Sequence, residues 1–294
     1  MGYAWSQQDE SVGAGFLRIA TEQMAKSILN ADAIGEAPAR RIHSARRHCK
    51  RLRGLLRLVR SDFPAYKQAN AAIRDAADRL SSARDAAVLR ETLEELYRWA
   101  GQPVPAAPAD EAGRSGEEPA LQHFRTDITA ILIRADGWKI GKINRDTLTH
   151  GFARCYRRAA DAAEHCRHKP SDESFHDWRK QVKYHAFHLI LLKSCLADDG
   201  GPDLEPVEKL ADLLGRHHDL AVLRVAVEQK PETLGKNIDA GFVAANVGLL
   251  QDRLSARALG LADVIFAHPA SAVRDTIDSR WRAWWHPASE PELA

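Results

Sequence analysis

Two nine-residue stretches of this chain, 133 residues apart, repeat one pattern of residue types. Residues 42–50 and 175–183 both read apolar, His, two residues, Arg, a second basic residue, two residues, Lys. At 3.6 residues per turn of an α-helix, the His, the Arg and the Lys of each stretch fall on one face. These residues are His43, Arg46 and Lys50 in the first stretch and His176, Arg179 and Lys183 in the second. The repeat predicts two helices, each with one basic face, and a duplicated site for an anion.

Two further pairs of motifs flank the basic stretches in the same order. A Gly-Phe-x-Arg motif precedes them at residues 15–18 and 151–154. An Asp-x-Ala-Val-Leu-Arg motif follows them at residues 85–90 and 219–224. Between the two halves, residues 101–119 contain four prolines and three glycines in place of a helical pattern. The common order predicts an internal duplication.

The composition and the apolar spacing predict an all-α fold. Ala, Leu, Arg and Glu dominate, apolar residues recur at spacings of three and four, and no sustained alternation of period two occurs. We predict two four-helix bundles, related by a pseudo-two-fold axis, with a central basic cleft between them. The first bundle takes residues 11–100, the second takes residues 120–285, and residues 101–119 form a linker or loop.

The composition also limits the location and the chemistry of the protein. No apolar run approaches the roughly 20 residues that span a bilayer, and the first ten residues lack the features of a secretory signal. We therefore expect a cytoplasmic protein. Its four cysteines lack CxxC spacing, so we expect buried, reduced thiols and neither a metal nor a cofactor. The net charge is only +2, but residues 40–60 hold nine Lys or Arg residues and no acidic residue.

The helix predicted from the first basic stretch, followed to residue 60, has an apolar face and a basic face. The apolar positions predict burial in a bundle, and they are Ile42, Ala45, Cys49, Leu52, Leu56 and Val59. The basic stripe comprises His43, Arg46, Lys50, Arg53, Arg57 and Arg60, with Arg47 and Arg51 beside it. No acid lies three or four residues away within the stripe, so its cations repel one another. A solvated face paired with acids of neighbouring helices is one interpretation, and a track for a linear polyanion is the other.

The second basic stretch predicts a shorter and weaker site. Three arginines that follow the first stretch are replaced at the matching positions after the second stretch. Arg51, Arg53 and Arg57 correspond to Tyr184, Ala186 and Ile190. We therefore expect charge reversal in the first stretch to weaken anion binding more than charge reversal in the second.

The three pairs of motifs together resemble the CHAD family, the conserved histidine α-helical domain, from about residue 15 into the 260s. The resemblance implies two four-helix bundles around a basic groove that binds inorganic polyphosphate. Some members carry a triphosphate-tunnel enzyme domain ahead of this one, and others stand alone and associate with polyphosphate or storage granules. The 14 residues before Gly15 leave no room for an enzyme domain. We expect a stand-alone, non-catalytic binding module.

The resemblance also implies which residues bind polyphosphate. In the first half these are His43, Arg46, Arg47, Lys50 and Arg53, to which the basic stripe adds Arg57. In the second half they are His176, Arg179, Lys180 and Lys183. The helices that precede the two basic stretches supply the further candidates Arg18, Arg154, Arg157 and Arg158.

Two other functions stay open from the sequence. The His-Asp dipeptides at residues 176–177 and 218–219 match those that hold the metal in HD-type phosphohydrolases. The matching positions of the first half read His-Ser and Arg-Asp, which favours coincidence. The basic stripe also suits nonspecific binding to the phosphates of a nucleic acid. Aromatic residues for base stacking are not interleaved with it, so we expect no specific nucleic acid partner.

Three smaller expectations concern residues outside the basic stretches. His185 and His188 lie beside apolar residues and are expected to pack in the core. Asp85 and Asp219 are interpreted as helix caps, with the ordering of basic side chains as the alternative. The Trp-rich segment 280–285 is expected to hold the last helix on the core, with a membrane, granule or partner contact as the alternative.

Overall fold

The computed structural model describes residues 2–80, 82–106, 116–196, 203–231, 234–235 and 238–285, and only the backbone of residues 82–87. These residues form ten α-helices, a short 3-10 helix (Lys193–Cys195) and no strand, so the predicted all-α class is confirmed. None of the described helices is both long enough and apolar enough to cross a bilayer. The helices are α1 (Val12–Ala31), α2 (Pro38–Leu58), α3 (Tyr66–Asp78), α4 (Ser82–Trp99), α5 (Glu117–Ala135), α6 (Arg145–His168), α7 (Asp172–Leu192), α8 (Leu204–Gln229), α9 (Ala240–Ile265) and α10 (Ala270–Trp284).

The starts of the two basic helices are encoded locally. Pro38 begins α2, where its fixed φ suits the first turn and its missing N–H has no partner to lose. Ser171 caps α7 through a capping box, in which its side chain and that of Ser174 each accept the other's backbone N–H. Both basic motifs therefore fall within the first four turns of their helices.

α2 buries the apolar face that its sequence predicts. It packs against α1, α3, α6 and α7. Burying one such leucine stabilises the fold by roughly 1.5–3 kcal/mol, so this face determines the orientation of the helix. Six residues of the predicted face are each at most 1% exposed: Ile42, Ala45, Cys49, Leu52, Leu56 and Val59.

α2 and α7 lie close together at Gly54. A Cβ atom at this position would lie 3.0 Å from the Cβ atom of Phe187. The imidazole of His188, fully buried, donates from Nε2 to the carbonyl oxygen of Gly54 at 2.9 Å. Arg57, one turn further along α2, lies 4.3 Å from the centre of the Tyr184 ring. These contacts hold the two basic helices against each other.

Four of the described histidines are buried, which confirms the expectation for His185 and His188, and three of them, His48, His185 and His188, have pKa values that burial lowers far below the ordinary value. His185 packs edge-on against the ring of Phe152, and the Nδ1 atom of His48 lies 2.9 Å from the Oε1 atom of Gln23. Burial lowers the pKa of His185 to about 3, and lowers the pKa values of His48 and His188 to about 4. All three imidazoles are therefore neutral in the folded protein at pH 7.

We expect the free energy of unfolding to fall when the pH drops from 7 to 5. Histidines of the unfolded chain titrate near pH 6.5, so below that pH the unfolded state binds protons that the folded core does not. Each buried histidine should cost up to about 2 kcal/mol at pH 5. Urea unfolding at both pH values measures the difference. A H123Q variant, changed at an exposed position, should show the same fall, and equal stability at the two pH values would contradict the prediction.

The N-terminal segment and the last helix pack together on the core. The indole Nε1 of Trp5 donates to the carbonyl of Val12 at 3.1 Å. Trp5 also meets Trp281 edge-on at 6.0 Å between ring centres, and Trp281 is only 2% exposed. Trp284 and Trp285 are partly buried against the same core. The expectation that these tryptophans hold the last helix is confirmed.

The four cysteines are buried, as the sequence predicts. Cys49, Cys155, Cys166 and Cys195 are all free and buried. Burial raises the pKa values of Cys49 and Cys195 to about 12, so both stay protonated thiols at neutral pH. A protonated, buried thiol is a poor nucleophile and a poor metal ligand.

The motif pairs fall on pairs of helices. The Gly-Phe-x-Arg motifs lie on α1 and α6, the basic motifs on α2 and α7, and the Asp-x-Ala-Val-Leu-Arg motifs on α4 and α8. α5 begins at Glu117 and packs against α1, α2 and α3. The division at residue 120, the two-bundle arrangement and the pseudo-two-fold axis stay predictions. Residues 107–115 of the proposed linker lie outside the described residues.

Candidate anion-binding site

The basic faces of α2 and α7 line the same cavity, which has a volume of about 780 Å³ and is called the first basic cavity. α4 contributes Val88 and Leu89, and α8 contributes residues from Ala211 to Val222. The volume lies within the range of ordinary ligand pockets. The residues from α2 are His43, Arg46, Arg47 and Lys50, and those from α7 are His176, Arg179, Lys183 and Phe187.

Positive charge dominates the first basic cavity. Among the described residues that line it, six are Lys or Arg, including Arg216 of α8, and two are acidic, Asp212 and Asp219. Arg46 also donates from Nη1 to the carbonyl of Ala77 at 3.2 Å, which ties it to the end of α3. Most of these cations are partly buried, so water and salt screen them less than they screen charges on an open surface.

Arg53 and Arg57 of the basic stripe line a second cavity of about 650 Å³, called the second basic cavity, and Arg60 lines neither cavity. The sequence predicts one continuous track, but α7 packs onto α2 at Gly54 and the stripe is shared between two cavities. In the second basic cavity, Lys180 forms an ion pair with Asp177 at 2.7 Å. Its basic residues are Arg53, Arg57, Arg74, Arg158 and Lys180, and its acidic residues are Asp78, Asp161 and Asp177.

Four arginines meet where the end of α2 packs on α6. Burial lowers the pKa of Arg154, and the guanidinium groups of Arg60, Arg158 and Arg57 lower it further. Arg154 lies within 3.5 Å of the carbonyl oxygens of Arg57 and Leu58. The Nε atoms of Arg57 and Arg154 are buried, and no hydrogen-bond acceptor among the described atoms reaches them. An anionic group at this position would reduce the repulsion and accept hydrogen bonds.

Three residues of the predicted site lie outside both basic cavities: Arg154, described above, Arg18 and Arg157. Arg18 donates to Asp9 at 2.6 Å and to Glu22 at 3.1 Å. The hydrogen bond that Arg18 donates to Asp9 raises the pKa of Arg18, so this cation is already compensated. Arg157 is exposed on α6. Neither residue lines the first or the second basic cavity.

The histidines of the two His-Asp dipeptides come together in the first basic cavity, whereas Asp177 lines the second. The Nδ1 atoms of His176 and His218 lie 3.1 Å apart, and their ring centres are 4.4 Å apart. The adjacent carboxylate of Asp177 forms its ion pair with Lys180. Across the described part of the chain, no three side chains of the metal-binding types are grouped so that they would hold one ion. The HD-type interpretation stays untested by this arrangement.

α8 supplies residues that the sequence did not assign to the polyphosphate site. These are Arg216, His218 and Asp219, which all line the first basic cavity. The interpretation of Asp219 as a helix cap is wrong, because the residue lies in the middle of α8. The side chain of its counterpart Asp85 lies outside the described atoms. The repeated Asp-x-Ala-Val-Leu-Arg motif indicated that this helix belongs to the duplication. The spacing of its apolar residues does not show which face of α8 packs against α7.

The fold and the cavity define an all-α protein with a positively charged cavity between its helices. The CHAD domain family matches residues 18–228, and the chain belongs to this family. A crystal structure of the CHAD domain from the plant Ricinus communis is similar, with a TM-score of 0.54, 18% identity and 93% of each chain covered. PptA from Streptomyces chartreusis is similar with a TM-score of 0.53 and 17% identity, over 92% of this chain and 99% of that one. At these identities the likeness concerns the fold, and no curated protein matches the sequence.

Proposed function

We propose that this protein binds inorganic polyphosphate in the first basic cavity and does not catalyse its turnover. One observation carries the proposal: two basic faces that the sequence predicts separately line the same cavity. Membership of the CHAD family supports it, because polyphosphate binding is what the family resemblance implies. The second basic cavity then takes further phosphates of a long chain. Arg18 is left out of the proposed site, because Asp9 and Glu22 already bind it.

The binding mechanism is multivalent electrostatics. Arg46 and Arg179 offer planar guanidinium groups that fork onto two phosphate oxygens, and Lys50 and Lys183 act as point charges. A linear polyanion makes several moderate contacts at once, and each contact releases condensed counterions. A flexible chain therefore binds without one rigid pose.

Titration calorimetry with long-chain polyphosphate and with tripolyphosphate, at 50 and 200 mM salt, tests the proposal. If about six phosphates are neutralised, the affinity for the long chain should fall about a thousandfold between these salt concentrations. Tripolyphosphate has fewer charges, so its affinity should fall much less. Absence of binding to the long chain at 50 mM salt would contradict the proposal.

Two further measurements test the competing functions, nucleic acid binding and phosphate hydrolysis. DNA supplied at equal phosphate concentration should displace labelled polyphosphate poorly, and efficient displacement would favour a nucleic acid partner. Phosphate release from polyphosphate or from nucleotides, with Mg²⁺ or Mn²⁺ added, would favour a metal-dependent phosphohydrolase.

Loss of two arginines from the second basic cavity should affect long chains selectively. We expect the R57Q/R158Q variant to bind long-chain polyphosphate about tenfold more weakly, because a flexible chain recovers, by rearranging, most of the roughly 1.5–3 kcal/mol that each lost charge-assisted hydrogen bond costs. Its affinity for tripolyphosphate, which the first basic cavity accommodates alone, should be unchanged. K139Q/K142Q is the matched control, because both lysines are exposed between α5 and α6. Equal losses for the two ligands would contradict this role.

A further inference from the structure

The proposed binding mechanism rests on lysine and arginine side chains and gives no role to the imidazole pair of His176 and His218. The two residues come from different helices, α7 and α8, and both line the first basic cavity. Their Nδ1 atoms lie 3.1 Å apart, which is a hydrogen-bond distance. A neutral imidazole has one N–H donor and one bare acceptor, so one ring of the pair donates from Nδ1 and the other accepts.

The shared hydrogen bond determines what the pair offers to a ligand. In the neutral pair, the ring that donates from Nδ1 has a bare Nε2, and the ring that accepts has an Nε2–H group. Only one Nε2 atom of the pair then donates. One added proton, placed on the bare Nε2, leaves the Nδ1 hydrogen bond in place and gives both rings an Nε2–H donor. A singly protonated pair therefore has one positive charge and two donors suited to phosphate oxygens.

The surroundings keep this pair neutral when the cavity holds no anion. Burial is the main cause that lowers the pKa of His218 to about 4, and the charges of Arg179, His176, His217 and Lys183 contribute to the same shift. Burial also lowers the pKa of His176. Lys180 and Arg179 add to that effect, and Asp177 opposes it.

Other elements around the cavity add mostly positive charge. α8 contributes Arg216 together with the acids Asp212 and Asp219. α4 contributes the apolar Val88 and Leu89, and the side chains of its first six residues lie outside the described atoms. α2 contributes only basic and titratable groups, and these are His43, Arg46, Arg47 and Lys50.

We propose that the His176–His218 pair takes up one proton from solvent when a polyphosphate chain occupies the first basic cavity. This inference rests on the proposed function. Phosphate anions would supply the negative charge that the pair lacks, and so favour the imidazolium form. By thermodynamic linkage, the proton then strengthens anion binding by the same factor by which the anion strengthens proton binding. The protein is in this way a polyphosphate receptor whose affinity rises as the pH falls.

Calorimetry in two buffers of different ionisation enthalpy tests the inference directly. Long-chain polyphosphate is titrated at pH 7 and constant ionic strength, because nearly all its phosphates are internal and remain ionised throughout. The heat difference between buffers gives the number of protons taken up per site, and we expect about one. The affinity should also rise from pH 8 to pH 6, by at most about tenfold per pH unit for one proton.

Four variants, one of them a control, assign the proton. H176Q and H218Q should each bind polyphosphate with little or no proton uptake and with a flatter pH profile, and circular dichroism checks their fold. H123Q, changed at an exposed position on α5, should behave as the wild type does. Uptake that persists in H176Q and H218Q but vanishes in H43Q would overturn the assignment.

Failure of the inference differs from failure of the proposed function. Tight binding of polyphosphate by the wild type with no proton uptake overturns the inference and leaves the function standing. No binding at low salt overturns both.

Discussion

An R179E/K183E variant is expected to bind long-chain polyphosphate about a hundredfold more weakly than the wild type, because each charge-assisted hydrogen bond is worth about 1.5–3 kcal/mol. Both residues lie on α7 and line the first basic cavity with the basic residues of α2. Reversing them removes two donors and places two carboxylates where phosphates would bind. Titration calorimetry at 50 mM salt measures the loss, and the salt dependence of the affinity should become shallower.

The matched control for this variant is K139E/K142E, which changes the net charge equally on an exposed surface between α5 and α6. Its affinity should fall severalfold at most, since long-range charge effects are screened at this salt concentration. Equal losses in the two variants would show that binding follows net charge, and would contradict a localised site. R46E/K50E, compared with R179E/K183E, tests the expectation that the first half of the site is stronger.

A G151A variant is expected to destabilise the protein by about 3 kcal/mol, the upper part of the range for overpacked interiors. Gly151 lies on α6 where it packs against the end of α2. A Cβ atom there would lie 1.9 Å from the carbonyl oxygen of Leu58. The obstacle is backbone and not the end of a flexible side chain, so the two helices must separate. Urea unfolding with and without the substitution measures the effect.

G248A is the matched control, because Gly248 lies inside α9 and a Cβ atom there would have no neighbour within 4 Å. Alanine is a better helix former than glycine by about 0.8–1.0 kcal/mol, so G248A should be neutral or stabilising.

G15A changes the counterpart of Gly151 in the other Gly-Phe-x-Arg motif. Its Cβ atom would meet the side chains of Trp5 and Asp9, which can shift more easily than backbone. Unchanged stability of G151A would contradict the close packing of α2 on α6.

Much of the local structure could be predicted from the sequence, because it depends on neighbours along the chain. The apolar face of α2 is buried where its spacing indicates, from Ile42 to Val59. The repeated His, Arg and Lys positions of both motifs line the first basic cavity, as does Arg47. Lys180 is the exception, because it lines the second basic cavity. The helix cap predicted at Asp219 was wrong because a short motif does not show where a helix begins.

Other parts of the site could not be predicted, because they depend on contacts between distant helices. Arg18 and Arg154 occupy matching positions of one motif, yet Arg18 binds Asp9 and Arg154 faces other arginines. That difference arises because the N-terminal segment folds over α1, and no periodicity within α1 or α6 encodes it. The contact between His176 and His218 likewise requires α7 and α8 to pack together.

The sequence by itself determined the helical class, the residues that each basic helix buries and the family, because periodicity and repeated motifs are local properties. Only the tertiary structure decided that α7 packs onto α2 at Gly54 and divides one basic stripe between two cavities. It also decided that α8 adds His218 and Arg216 to the first of them. The physical reason is that the missing side chain of Gly54 and the hydrogen bond from His188 set the crossing of two helices that lie more than a hundred residues apart in the chain.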